Sequence, residues 1–230
     1  MELQQPRHYQ LQSEPIGIGP TGQTVPSRQP EDEVIAYRVI TSYYVDDGTH
    51  DFSVARQSIL NHLDLLRAAY PDLHEVHGKR ILDVACGARN YCGNQANDPD
   101  RSSSLRFDPW MSRLLLSLGA HPVGLDICRQ IHEQFTSYQV DLTRKDALSF
   151  LPANSFDAFY VSGFPTTPAI KQFLSDGRTW PEVRDDILSH LHRSLKESGK
   201  VIRPFTEKTE RFVASHLDLL KPLTCNDDDL

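Results

Sequence analysis

Three aspartates, Asp83, Asp126 and Asp141, each close a short apolar run: Ile81-Leu82-Asp83, Val123-Gly124-Leu125-Asp126 and Val140-Asp141. An ionised carboxylate is an acceptor of hydrogen bonds, and at the end of a strand it would be held on a rigid element. After the first, Asp83-Val84-Ala85-Cys86-Gly87 crowds small residues into a turn, where a backbone can approach a ligand closely. Singly these signals are weak. An aspartate after an apolar run is commonly a turn residue, and D-x-A-x-G arises by chance.

The other chemistry-bearing residues form no comparable set. His190 and His192 stand two apart in a helical stretch, so they cannot face one ligand and read as solvated or packed. His74 and His77 could share a helical face, but no acidic partner follows at metal-binding spacing. Cys86, Cys92, Cys128 and Cys225 contain no C-x-x-C pair. They read as reduced thiols rather than as a disulfide framework or a zinc site. No metal is expected. Tyr43 and Tyr44 fall in an apolar cluster, as core residues or as residues reaching a ligand from the N-terminal segment.

The elements that must position these residues follow from periodicity. Residues 1–30 are rich in Gln, Pro, Ser and Gly without a hydrophobic period, which predicts a disordered or draped arm. Val34, Ile35, Tyr37, Val39, Ile40, Tyr43 and Tyr44 then form a dense apolar group ended by Asp46-Asp47-Gly48. Ala55, Ile59, Leu63 and Leu66 predict a helix over 52–69, stopped by Pro71. Strands are expected at 80–85, 122–126, 138–142, 156–162 and 200–204. The first is continuously apolar, as suits a parallel strand buried on both faces. Asp108 as N-cap, Pro109 at the first position and Gly119 at the end define the next secure helix. A short helical piece is expected at 127–135. Thr179-Trp180-Pro181-Glu182 has the form of a capping box opening a helix that Gly199 ends. A last helix is expected at 207–220. Five alternations of strand and helix predict an α/β fold with a doubly wound, mostly parallel sheet. Ligands of such sheets bind at the carboxyl ends of the strands.

The 230 residues allow one large domain, expected over 31–225, with an acidic tail at 226–230. The net charge of −7 argues against a broad nucleic-acid-binding surface. The opening MELQQPRHYQ lacks an apolar signal core, and no apolar run is long enough to span a bilayer. A cytoplasmic location, with no membrane partner, is therefore expected.

At the four strand ends the chain resembles the class I S-adenosylmethionine-dependent methyltransferases, over residues 78–205. Ile81 to Ala88 is similar to that family's first motif, Val123 to Ile127 to its second and Val140 to Thr143 to its third. Leu151 to Asp157 resembles the fourth, and Leu191 to Lys200 the helix and turn before the fifth strand. The resemblance implies a Rossmann-like fold with N-terminal helices, and S-adenosyl-L-methionine as cofactor. It implies that Asp83 anchors the turn or binds the cofactor's amino group, and that Ala85 and Gly87 pass close to its methionine part. Asp126, with Ile127 beside it, would accept the ribose hydroxyls. Asp141 would bind the adenine amino group, with the adjacent backbone, at Leu142, donating to a ring nitrogen. No catalytic residue is implied.

Two departures stand out. Arg89 occupies a position where the family usually has a second glycine, and residues 89–107 are inserted before the first helix. The insertion is expected to border the cofactor site as a lid carrying residues such as Asn90, Tyr91 and Asn94, or else to have closed it. After the fourth strand, Ser162-Gly163-Phe164-Pro165 replaces the sequence typical of nucleobase methylases. The resemblance thus implies an enzyme acting on a small-molecule acceptor, with a non-catalytic binding or scaffold protein as the alternative. The short stretch after Pro204 predicts a reduced C-terminal edge: five parallel strands and at most a short extra one at 219–225. Oligomeric state is not read from the sequence.

Overall fold

Continuous apolar runs become the strands at the centre of the molecule. In the computed structural model, residues 29–45, 51–87, 105, 108–128, 130, 132–161 and 177–202 are described. The strand β1 (Arg80–Val84) is buried from Ile81 to Val84, because both its faces are covered. It pairs in parallel with β2 (His121–Asp126) on one side and β4 (Phe156–Val161) on the other. Outside these lie β3 (Thr136–Gln139), beside β2, and β5 (Leu195–Ile202), beside β4. The order is β3-β2-β1-β4-β5, all parallel. The chain steps outward from β1 to β3, then returns to the far side of β1. That reversal puts the switch point of the strand order between β1 and β4, where open sheets of this kind bind ligands.

Helices cover both faces, each by one apolar stripe. On one side α1 (Pro30–Thr41), α2 (Ser53–Ala69) and α3 (Trp110–Ser117) share a core with Ile81, Ala158, Tyr160 and Ile202. Ala55, Ile59, Leu63 and Leu66 of α2 are completely enclosed there. Each buried leucine or isoleucine contributes about 1.5–3 kcal/mol over an exposed one. On the other side α4 (Trp180–Ser194) lays Val183, Ile187 and Leu191 against Leu82, Val84, Leu125 and Phe159. The α4 start is the expected capping box: the Glu182 carboxylate accepts the Thr179 N–H at 2.6 Å and its hydroxyl at 2.8 Å.

Several expected boundaries are corrected. The third strand occupies 136–139 rather than 138–142, so Val140 to Leu142 belong to the loop after it. Described residues within 127–135 are bends and coil, not a helix. There the Asp126 carboxylate takes the Cys128 N–H at 2.9 Å, a local turn that competes with helix. The fourth helix ends at Ser194, not near Gly199, because Leu195 leaves it to pair with Phe156. An irregularity follows, and pairing resumes at Lys200, Val201 and Ile202, where the fifth strand was expected. Asp108 does not cap α3. Its side chain is drawn instead to Arg113, and Pro109 precedes the first helical residue. Gly119, with φ +79°, does follow the end of that helix. The arm at 1–28, most of the 89–107 insertion, the 207–220 helix, any strand at 219–225 and the 226–230 tail lie outside the described residues.

Candidate functional site

The D-x-A-x-G turn lies at the carboxyl end of β1, beside the switch point. Ala85 and Gly87 take positive φ values of 58° and 86°. Such backbone is easy for glycine and costs an alanine energy, so Ala85 is held there by its surroundings. Those surroundings are visible. The Cys86 N–H donates to the Leu125 carbonyl at 3.0 Å, and the Gly87 N–H donates to Asp126 Oδ2 at 3.0 Å. Gln130 Nε2 donates to the Gly87 carbonyl at 2.6 Å. The turn is thus fastened by both polar groups of Gly87, to the end of β2 and to the loop that follows it.

Asp126 is 9% exposed and accepts one backbone N–H on each oxygen, from Gly87 and Cys128. Burial raises its pKa above the ordinary carboxylate range, while those N–H groups pull the other way. Gly124, two residues earlier on the same face of β2, lies under the Cys86 sulfur and the Phe135 ring. A Cβ at position 124 would stand 2.9 Å from that sulfur and 2.8 Å from that ring. Only glycine fits without displacement there.

Asp83, expected to anchor the turn or to bind the cofactor's amino group, faces α3. It is fully enclosed, and Ser112 Oγ donates to its Oδ2 at 2.7 Å. Among the described residues its Oδ1 makes no side-chain hydrogen bond, while the Ser112 backbone also favours the ionised carboxyl. Burial pushes its pKa up to about 7, the Ser112 hydroxyl opposes this, and the nearby Asp126 charge adds to it. Gln130 Oε1 is another enclosed acceptor, without a partner among the described residues.

The remaining expected residues spread along this end of the sheet. Ile127 follows Asp126 and is 49% exposed. Asp141 lies two residues past β3, and its Oδ1 accepts the Thr143 N–H at 3.0 Å and the Thr143 hydroxyl at 2.6 Å. Leu142 is buried in the core under α4. The acid of the fourth motif, Asp157, is at the opposite, amino end of the sheet. It accepts the Arg80 N–H at 2.9 Å and Lys196 Nζ at 2.8 Å, tying β4 to β1 and β5. An open concavity lined by Asn154, Lys196, Glu197 and Ser198 also lies at that amino end, away from Asp83, Asp126 and Asp141. Residues 88–104, Arg89 included, and 162–176 are outside the described set.

Sequence reading missed the network beside this site. Arg113 is buried and clamps Glu133, with Nε to Oε2 at 3.1 Å and Nη2 to Oε1 at 2.6 Å. Its Nη1 donates to Asp108 Oδ2 at 2.5 Å, and the Tyr44 hydroxyl donates to the same oxygen. The guanidinium carbon lies 4.2 Å from the Tyr43 ring centre and 4.7 Å from that of Trp110. Tyr43 therefore stacks on a buried cation, while Tyr44 binds that cation's partner Asp108 and packs against the core. The only sequence signal was an arginine in the apolar stretch Trp110 to Leu116.

No family model and no curated protein matches the chain. Among solved structures it aligns with 1,6-didemethyltoxoflavin-N1-methyltransferase of Burkholderia thailandensis, which holds 1,6-didemethyltoxoflavin and S-adenosylhomocysteine. The identity is 16%, the coverage 76% of this chain and 64% of that one, and the TM-score 0.35. Magnesium protoporphyrin IX methyltransferase of Synechocystis PCC 6803, which holds S-adenosylmethionine, aligns at 17% identity, over 72% of each chain, with a TM-score of 0.33. The chain thus spans less than two thirds of the first of these proteins. The fold class stands on the strand order and the two helical layers. It is Rossmann-like α/β.

Proposed function

We propose that the protein is an S-adenosylmethionine-dependent methyltransferase acting on a small-molecule acceptor. The observation that supports this most is the gathering of Asp83, Ala85, Gly87 and Asp126 at the carboxyl ends of β1 and β2, beside the switch point. The enclosed acceptor Gln130 Oε1, and Asp83 Oδ1 once that carboxyl is ionised, fit a ligand that brings donors, as the ammonium and ribose hydroxyls of this cofactor do. A carboxylate has about four lone-pair sites, so Asp126 keeps capacity beyond the backbone N–H groups it accepts, toward the ribose hydroxyls. In this reading Ile127 offers apolar surface to the adenine, and Asp141 accepts from its amino group while the backbone at Leu142 donates to the ring. When bound, the cofactor supplies a methyl group already activated by its sulfonium. The chain then has to hold, orient and shelter it, and orientation alone supplies much of the rate.

A second reading is a non-catalytic binding or scaffold protein. It is supported by the internal fastening of the turn, where Asp126 takes the Gly87 N–H and Gln130 donates to the Gly87 carbonyl. A cytoplasmic location, with no nucleic-acid or membrane partner, is proposed with either reading. Among the described residues, no helix is long and apolar enough to cross a membrane.

Calorimetry with S-adenosylhomocysteine separates the two. The methyltransferase reading expects binding, and expects Asp126→Ala to weaken it by at least about 1.5–3 kcal/mol, the value of hydrogen bonds to a charged group. No binding by the folded wild-type chain would leave only the scaffold reading.

A further inference from the structure

Outside this site, three metal-ligating side chains converge where the loop after β3 meets α4. Asp186 and His190 stand one turn apart on α4 and so share a face. Asp146 reaches them from the loop, at a position with φ +54°. One ligand-capable atom from each lies within 4.8 Å of the others. His190 Nε2 is 3.4 Å from Asp186 Oδ1 and 3.6 Å from Asp146 Oδ1.

These separations are long for hydrogen bonds to a ring nitrogen. They do match the edge of a tetrahedron around an ion bonded at about 2.0–2.2 Å, which is roughly 3.3–3.6 Å. The second oxygen of Asp186 is already committed, accepting the Asp146 N–H at 3.0 Å and Arg178 Nη2 at 3.2 Å. That commitment orients the carboxylate and leaves Oδ1 toward His190, the outer hydrogen bonding that metal-binding carboxylates commonly have. The charge also suits a cation. Two carboxylates face one arginine, so a dication is not repelled by the cluster as a whole. The Asp146 side chain is 59% exposed, which leaves an entry path and room for water as a further ligand.

We propose that Asp146, Asp186 and His190 bind a divalent transition-metal ion of the zinc class and fasten the post-β3 loop to α4. An imidazole beside two carboxylates favours zinc or cobalt over the oxygen-only magnesium and calcium. The bound ion is structural. It also steadies the segment holding Asp141 to Thr143, since Arg178 Nη1 approaches the Thr143 carbonyl at 3.5 Å. This inference is independent of the methyltransferase reading.

The test uses the full chain, purified with chelator, and Zn²⁺ or Co²⁺ alone as probe. Zn²⁺ should bind with one equivalent in calorimetry and raise Tm, and Co²⁺ should give the visible absorption of a low-coordinate nitrogen–oxygen site. Asp146→Asn and His190→Ala should each weaken binding at least about tenfold, the smaller loss seen when even an outer partner of a metal ligand is removed. Asp146 is exposed, so its variant tests the site even if the other variant folds poorly. The chain has ten histidines and four cysteines that could hold zinc elsewhere. Binding that survives in Asp146→Asn, or a wild-type chain that binds neither ion, overturns the proposal.

Discussion

Ser112 and Arg113 are neighbours on α3 and each meets buried acid, but they settle it in opposite ways. Ser112 offers Asp83 a neutral hydroxyl, and burial then favours the protonated carboxyl, with a pKa of about 7. Arg113 offers Asp108 and Glu133 a full positive charge. Burial alone would lower the arginine pKa, yet Glu133 and Asp108 hold it above its ordinary value. A buried acid can be neutralised by a proton or by a counter-ion, and only the first makes stability depend on pH near neutrality.

The largest effect should come from breaking the charged arm. Arg113→Met leaves Asp108 and Glu133 enclosed and uncompensated, which typically costs about 3–5 kcal/mol. Denaturant unfolding at neutral pH measures this. A loss under about 1 kcal/mol, the most that an exposed ion pair contributes, would mean that water reaches the pair.

The neutral arm is tested by pH. The Asp83 pKa rises from 3.8 unfolded to about 7 folded, so between these values the folded state binds more protons. Its contribution is therefore fully present below about pH 4 and is lost as pH rises toward 7. Asp83→Asn keeps an acceptor for Ser112 and carries no titrating proton. Its stability curve should be flatter than wild type across that interval, by an amount on the order of a few kcal/mol. Parallel curves for the two proteins would show Asp83 to be ionised when folded.

Ser112→Ala sharpens the same contrast with a smaller effect. It removes a donor that favours the ionised form, so the Asp83 pKa should rise further. The destabilisation should be about 1 kcal/mol and larger at pH 8 than at pH 5. Equal losses at both pH values would show that the hydroxyl serves packing alone.

The parts of this molecule that were legible in the sequence are those built from local, repeated signals. Ile59, Leu63 and Leu66 announced α2 by spacing, and Thr179 with Glu182 announced the start of α4. The continuous runs at 81–84 and 123–125 marked the central strands, and with them the end of the sheet that carries Asp83 and Asp126. The edge strand lies earlier than its apolar signal because none of 136–139 is buried and only Ser137 is half-buried, so little apolar pattern precedes Val140. Contacts between distant segments left no trace. Nothing in the spacing of Tyr44, Asp108, Arg113 and Glu133 foretells one network, and Asp146 is 40 residues from Asp186. The direction of Asp83 was hidden for the same reason, since it depends on where α3 docks.

The packing of Cys86 against Gly124 makes the thiol a clock. Its sulfur is buried, and burial together with nearby Asp83 and Asp126 pushes the thiol pKa well above its usual value. It is therefore in the unreactive, protonated form while the turn is closed. An alkylating reagent can reach it only after the turn lifts from β2, breaking the Gly87 contacts to Asp126 and Gln130. The rate of Cys86 labelling, followed by mass spectrometry of the corresponding peptide, then reports how often the turn at the end of β1 opens. Any molecule that settles on that turn should slow the clock.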